Sequence, residues 1–207
     1  MTEDLTLYAM PSSGNSYKVQ LLLGLLGRSY AQISCEYESE ALAQAHDAGA
    51  LPLGKVPALH LADGTILSES GAILWYLANG TPWVPANLVQ QSEMLGWMFF
   101  EQNRMEGVIA VRAALRTYPH RAASATPERL AALLDDGHDV LSVVDAHLTG
   151  RDWLVGSTPT IADIALYGYT HSSGSRGGYD MARFPAINGW CERVAALPGY
   201  VKLQVPE

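Results

Sequence analysis

A chain of 207 residues is long enough for one large domain or two small ones, with a sizeable core in either case. Hydrophobic residues make up 48% and charged residues 16%, and the formal net charge of −8 argues against nucleic acid as the main partner, because phosphate binding needs a basic face. The opening residues carry Glu3 and Asp4 but no basic residue, unlike a signal peptide, and no apolar stretch reaches the roughly eighteen residues of a membrane span. Cys35 and Cys191 lie far apart and form no CxxC pair, so free thiols in a reducing compartment, the cytoplasm, are expected.

Residues 5 to 10 alternate apolar and more polar positions and predict a strand. Pro11-Ser12-Ser13-Gly14-Asn15-Ser16 is turn chemistry throughout. Val19, Leu22, Leu23 and Leu26 then recur at three- and four-residue spacing, one face of a helix that Gly27 is placed to end. A second strand follows, with Ile33, Cys35 and Tyr37 on one face, so this opening reads as a βαβ unit. Residues 38 to 50 predict a short helix. Pro57 to Leu61 and Thr65 to Leu67 are apolar runs joined through Asp63-Gly64, a dipeptide that supplies the positive φ angles of a tight hairpin. Gly71 to Leu77 is a third helix. The first unit is thus βαβ followed by ββα, the plan of an α/β thioredoxin-like domain over residues 1–79.

Two prolines in residues 80–90 break every periodic pattern and mark a linker. From there to residue 207 the signals are helical: one long helix or two joined ones from Gln91 to Arg116, and a loop with Pro119. A helix from Thr126-Pro127 carries the stripe Leu134, Leu141, Val144 and Leu148. Thr160-Ile161-Ala162-Asp163 is a capping-box variant with Asp in place of Glu, and it opens a further helix. Pro185 begins the last helix, whose buried face is Ile187, Trp190, Cys191, Val194 and Leu197. An all-α domain is expected over 91–207.

The stretch from Leu53 to Leu77 has the most readable chemistry. It offers a backbone edge at Val56, a helix start at Ser68-Glu69-Ser70 suited to an anion, and a carboxylate beside that start. These features suit a small extended peptide carrying an amine and acid groups.

Several motifs in this order resemble the cytosolic glutathione transferases, over Leu5 to Val201. Pro11-Ser-Ser-Gly-Asn-Ser-Tyr-Lys-Val19 is similar to the first-helix loop of the serine-type classes. Gly54-Lys55-Val56-Pro57-Ala58-Leu59 resembles the segment before the family's cis-proline, and Glu69-Ser70-Gly71-Ala72-Ile73 its γ-glutamyl-binding motif. Asp163 matches the family's structural capping aspartate. The loop pattern, with Phe99-Phe100-Glu101-Gln102 later, is most like a group of bacterial members.

The resemblance implies glutathione as co-substrate, no other cofactor, and roles for named residues. A free thiol ionises near pH 8.5, so at pH 7 only roughly 3% is thiolate, and lowering its pKa by about two units takes roughly 2.7 kcal/mol. Ser13 matches the family's serine, whose hydroxyl donates to the sulfur; read without the family, Ser12, Ser13 and Ser16 are ordinary helix caps. Asn15 is the rival, since related classes stabilise the sulfur with a residue two positions along. Val56, ahead of a cis Pro57, would pair with the cysteinyl backbone, although Pro57 could equally just start an edge strand. Ser70 would hold the γ-glutamyl carboxylate and Glu69 its ammonium, against the plainer reading of an acid in a first helical turn. Lys55 suits a ligand carboxylate or is a solvated lysine. The glycyl end is open, with His46 one candidate, because Leu51 stands where asparagine is common in the family.

For the hydrophobic electrophile the resemblance offers Met10, Trp97, Arg112 and Tyr118, with Tyr8 and Met105, though Met and aromatic residues at helical spacing more often pack in a core. The histidines show no metal spacing, and no metal is expected. A homodimer is implied by the resemblance alone. The implied activity is conjugation of glutathione. The alternatives are glutathione-dependent reduction of a disulfide or peroxide, or a binding or regulatory protein that keeps the fold without the chemistry.

Overall fold

In the computed structural model, which describes residues 5–204, β1 (Thr6–Ala9) realises the alternation of its sequence, with Leu7 and Ala9 buried and Thr6 and Tyr8 half-buried. Helix α1 (Gly14–Leu25) follows and ends before Gly27, whose φ of 62° is the left-handed conformation that suits glycine. β2 (Ala31–Ser34) is parallel to β1, with Thr6 opposite Ala31. It stops short of the expected face: Cys35 is buried just beyond it, whereas Tyr37 is exposed. Helix α2 (Glu40–Asp47) is capped by Ser39 Oγ, which accepts from Leu42 N–H at 3.2 Å.

β3 (Ala58–His60) and β4 (Ile66–Ser68) form the antiparallel hairpin, and β3 pairs antiparallel with β1, Tyr8 opposite Ala58. The sheet order is β2-β1-β3-β4. In the turn only Gly64 takes positive φ, at 87°. Asp63 acts through its side chain instead, with Oδ1 accepting from Thr65 N–H at 2.9 Å. Helix α3 (Ser70–Ala78) packs beside α1 on one face of the sheet, while α2 and the buried Ala45, Ala50 and Leu51 pack with Cys35 and Ala58. This is the thioredoxin-like α/β arrangement.

The chain divides into two compact units, with the boundary between Val84 and Pro85. The stretch from Leu197 onward groups with the first unit rather than with the helices before it. Two contacts explain that return. Tyr17 donates its hydroxyl to Val201 O at 2.8 Å, and a Cβ on Gly24 would lie 2.7 Å from Gly199 O, so the backbones meet where only glycine fits.

The second unit, Pro85–Ala196, is all helical. Helix α4 (Leu88–Phe100) runs through a π-helical stretch, Glu101–Ala110, into α5 (Val111–Thr117). The buried positions of that stretch, Glu101, Met105 and Ile109, recur every fourth residue, in keeping with its wider turns. The Pro119 loop contains a 3₁₀ turn, Pro119–Ser124. Helix α6 (Pro127–Leu148) is capped by Thr126 and buries Leu141, Val144 and Leu148, with Leu134 half-buried. Helix α7 (Ile161–Thr170) starts at the capping box, and α8 (Pro185–Ala195) buries Ile187, Trp190 and Val194. Among the described residues no helix is long and apolar enough to cross a membrane.

Candidate functional site

The loop between β1 and α1 sorts its serines by what each hydroxyl touches. Ser13 N–H donates to Met10 O at 3.0 Å and Ser16 Oγ accepts from Met10 N–H at 3.0 Å, which closes the turn on itself. Ser12 is buried and donates its hydroxyl to Glu36 Oε1 at 2.9 Å, while its N–H reaches Glu36 Oε2 at 3.4 Å. Ser13 is half-buried and stands at the N-cap of α1 with extended backbone, φ −85° and ψ 129°. Among the described residues its hydroxyl makes one contact, accepting from Ser16 N–H at 3.5 Å, the outer limit for such a bond. Accepting a bond does not consume the proton of a hydroxyl, so Ser13 can cap the helix and still donate.

Asn15 follows in the first turn of α1. Its Oδ1 accepts from Lys18 Nζ at 2.7 Å and from Ser70 Oγ at 3.3 Å. Lys18 is 1% exposed, unusual for an ammonium. Ser70 is the first residue of α3 and is itself buried. The structure therefore joins the start of α1 to the start of α3 through one amide oxygen. Glu69, the N-cap of α3, is exposed and has φ 68° and ψ 120°. A non-glycine residue in that region is strained by about 1–3 kcal/mol and persists only where the surroundings impose it, most often at ligand-binding sites. Nothing in the residue type Glu announced this. Glu69 supplies no side-chain cap to α3, whose first N–H groups carry the positive end of the helix dipole.

The peptide bond between Val56 and Pro57 is cis. Pro57 is buried, Val56 half-buried and Lys55 exposed, and β3 begins only at Ala58, so Val56 lies beyond the paired ladder. His46, in the last turn of α2, is exposed. Tyr8 packs against His60, with ring centroids 4.5 Å apart.

Two family models match, described as glutathione S-transferase N-terminal domain over residues 7–82 and glutathione S-transferase C-terminal domain over 108–198. A solved glutathione S-transferase from Xanthobacter autotrophicus Py2 is 38% identical, covers 97% of each chain, and superposes with a TM-score of 0.88. The chain belongs to the glutathione S-transferase family.

Other members are more distant. A structure described as Ure2p in complex with glutathione is 26% identical over 96% of this chain and 97% of its own, with a TM-score of 0.83. The disulfide-bond oxidoreductase YfcG of Escherichia coli is 27% identical over 93% of this chain and 90% of its own. The chain spans about two thirds of the length of several curated relatives that it matches.

Two residues that meet this loop, Lys18 and Glu36, were not among those expected from the sequence. Lys18 had a usable local signal, since an Asn-x-x-Lys spacing on a helix places the two side chains on one face. Glu36 had no local signal, since its partner Ser12 is 24 positions away.

The residues expected around the second substrate do not share one fate. Met10 is half-buried in the turn after β1. Trp97 stacks edge-on with Phe100 at 5.3 Å and against His147 at 4.5 Å, inside the helical unit. Tyr118 is half-buried, accepts from Arg176 Nη2 at 3.3 Å and stacks with His120. Arg112 does not suit a substrate wall. It is buried, its Nε donates to Gly177 O at 2.7 Å and its Nη1 to Leu130 O, and its guanidinium lies over the Tyr179 ring. With its donors turned to backbone carbonyls, Arg112 braces α5 against two neighbouring segments. Met105 is fully buried in the core. Among the described residues no cluster of three His, Cys, Asp or Glu side chains could hold a metal.

Proposed function

We propose that the protein is a glutathione transferase of the bacterial serine-type group, which stabilises the glutathione thiolate and adds it to a hydrophobic electrophile. The observation that carries this reading is the sorting of the loop serines. Ser12 gives its hydroxyl proton to Glu36, and Ser16 holds the Met10 backbone, while Ser13 stands at the helix start with one long accepted bond and a proton to give. A hydroxyl donor, the α1 N-terminus and the Asn15 amide together can supply the roughly 2.7 kcal/mol that moves a thiol pKa down by two units.

On this reading glutathione lies along the thioredoxin-like unit. Its cysteinyl backbone pairs with Val56, on the strand edge ahead of the cis Pro57. Its γ-glutamyl carboxylate takes the Ser70 end of α3, and Glu69 takes the ammonium. Lys55 is available to a carboxylate. The thiolate lone pair then forms a carbon–sulfur bond, and the electron pair of the bond that breaks leaves with the departing group or is protonated by solvent. Catalysis is thiolate stabilisation plus positioning, in a cytoplasmic homodimer. Glutathione in the related Ure2p complex supports the ligand.

A second reading is reduction of a disulfide by two glutathiones, which yields two thiols and glutathione disulfide. It draws on the relative YfcG, described as a disulfide-bond oxidoreductase, and on Asn15 in the same loop. The loop itself holds no cysteine, so glutathione would supply both sulfurs.

The test is glutathione binding followed by ultraviolet thiolate absorbance against pH in the wild type, Ser13→Ala and Asn15→Ala, then turnover with an activated aryl halide and with a small disulfide. Conjugation with a thiol pKa raised in Ser13→Ala is expected. Absence of binding at about millimolar glutathione removes both enzymatic readings. Disulfide turnover without conjugation favours the second.

A further inference from the structure

We propose that Lys18 is a positioning residue for the sulfur side of this site and acts through Asn15; the proposal rests on the glutathione reading above. Lys18 lies three residues after Asn15 on α1, so the two side chains share a face. Lysine is almost never fully buried unless it is paired, and Lys18 is 1% exposed with its Nζ 2.7 Å from Asn15 Oδ1.

That contact determines which way the amide points. An ammonium has only donors, so the amide atom beside it must be the oxygen; a flipped amide would set N–H against N–H. Ser70 Oγ, 3.3 Å away on the first turn of α3, donates to the same oxygen. Two donors from two elements thus hold the acceptor end of Asn15. The NH₂ end diverges from both, and a polarised amide is a stronger donor. With Lys18 replaced by an apolar side chain, the amide could turn its oxygen toward an anion, which repels a thiolate. Lys18 therefore keeps the acceptor end away from the sulfur and ties that orientation to the γ-glutamyl end of the ligand through Ser70.

A merely structural lysine, one that only holds α1 beside α3, would change stability and the KM for glutathione but not the ionisation of bound thiol. The deciding measurement is the pKa of bound glutathione in the wild type, Lys18→Met, Asn15→Ala and the double variant. Lys18→Met should raise it by about one unit, the size expected of one hydrogen bond to an anion. Asn15→Ala should match that shift, and the double variant should add nothing further. Lys18→Arg, again a pure donor, should restore the wild-type value. An unchanged pKa in Lys18→Met, or shifts that add in the double variant, overturns the proposal. Should Lys18→Met fail to fold, Asn15→Asp decides: it keeps a partner for the ammonium but has no N–H, and an unchanged thiol pKa there overturns the proposal too. A wild type that binds no glutathione instead defeats the reading on which the proposal rests.

Discussion

Removing the carboxylate of Asp163 tests the part of the fold on which the helical unit turns. Asp163 is fully buried and receives four donors: Leu154 N–H at 3.0 Å and Trp190 Nε1–H at 2.9 Å on Oδ1, and Thr160 N–H at 2.8 Å and Thr160 O–H at 3.2 Å on Oδ2. In Asp163→Ala the Thr160 hydroxyl can rotate to another acceptor, but the two backbone N–H groups and the indole cannot. Each buried donor left unsatisfied costs about 1–3 kcal/mol. Part of that is recovered, because burial disfavours the carboxylate and raises its pKa, against the pull of its hydrogen bonds. The net expected loss is about 3–5 kcal/mol, the usual size for deleting one partner from a buried polar network. Asp163→Asn keeps an oxygen for Leu154 and Trp190 but sets an amide N–H against Thr160 N–H, so an intermediate loss of about 1–3 kcal/mol is expected. Urea unfolding followed by circular dichroism and by tryptophan fluorescence, to which Trp190 contributes, measures both. An Ala variant within about 1 kcal/mol of wild type would refute the network's role, as would an Asn variant less stable than Ala.

The thiols and histidines give two further expectations. Burial raises the Cys35 thiol above its ordinary value and pushes Cys191 up to about 12, with Glu192 adding to the latter. Neither should label with a maleimide in the folded protein at mildly alkaline pH, and both should label in denaturant; rapid native labelling by mass spectrometry would contradict the burial argument. His138 and His171 are both held below the ordinary imidazole value, chiefly by desolvation. A depressed folded value means that the unfolded chain takes the proton first, so their stabilising contribution is full above about pH 6.5 and is lost as the pH falls below it. The Tm should therefore decline on acidification through that range, and by less in a His138→Gln/His171→Gln variant; equal declines would count against it.

Much of the fold was legible because its signals are local. Thr126 and Thr160 cap the helices that they precede, and Asp63-Gly64 turns the hairpin. Each of these lies within a few residues of what it specifies, so spacing and residue type suffice. The cis bond at Pro57 and the family's glutathione motif were legible only through resemblance, since a bare X–Pro is cis in about one case in twenty. The C-terminal return was not legible, because Tyr17 and Val201 are 184 positions apart and neither type predicts the other.

The site divides in the same way. Read along the chain, Ser12, Ser13 and Ser16 are interchangeable caps, and Lys18 and Glu36 are charged residues whose default is solvent. What distinguishes Ser12 and Glu36 is pairing at long range, with Glu36 taking Ser12 from 24 positions away, and Ser70 likewise reaches Asn15 from 55. Those pairings have a consequence beyond bookkeeping of contacts. On the reading proposed above, they occupy the Ser12 hydroxyl, leave the Ser13 proton available and set the direction of the Asn15 amide. Ser13 and Asn15 therefore need not compete for the sulfur. A hydroxyl from the helix cap and an amide from its first turn can both donate to one thiolate, as two partial contributions to the same pKa shift. Ser13→Ala and Asn15→Ala should then each raise the thiol pKa by less than the double variant does, whereas a single sulfur partner would place the whole shift in one of them.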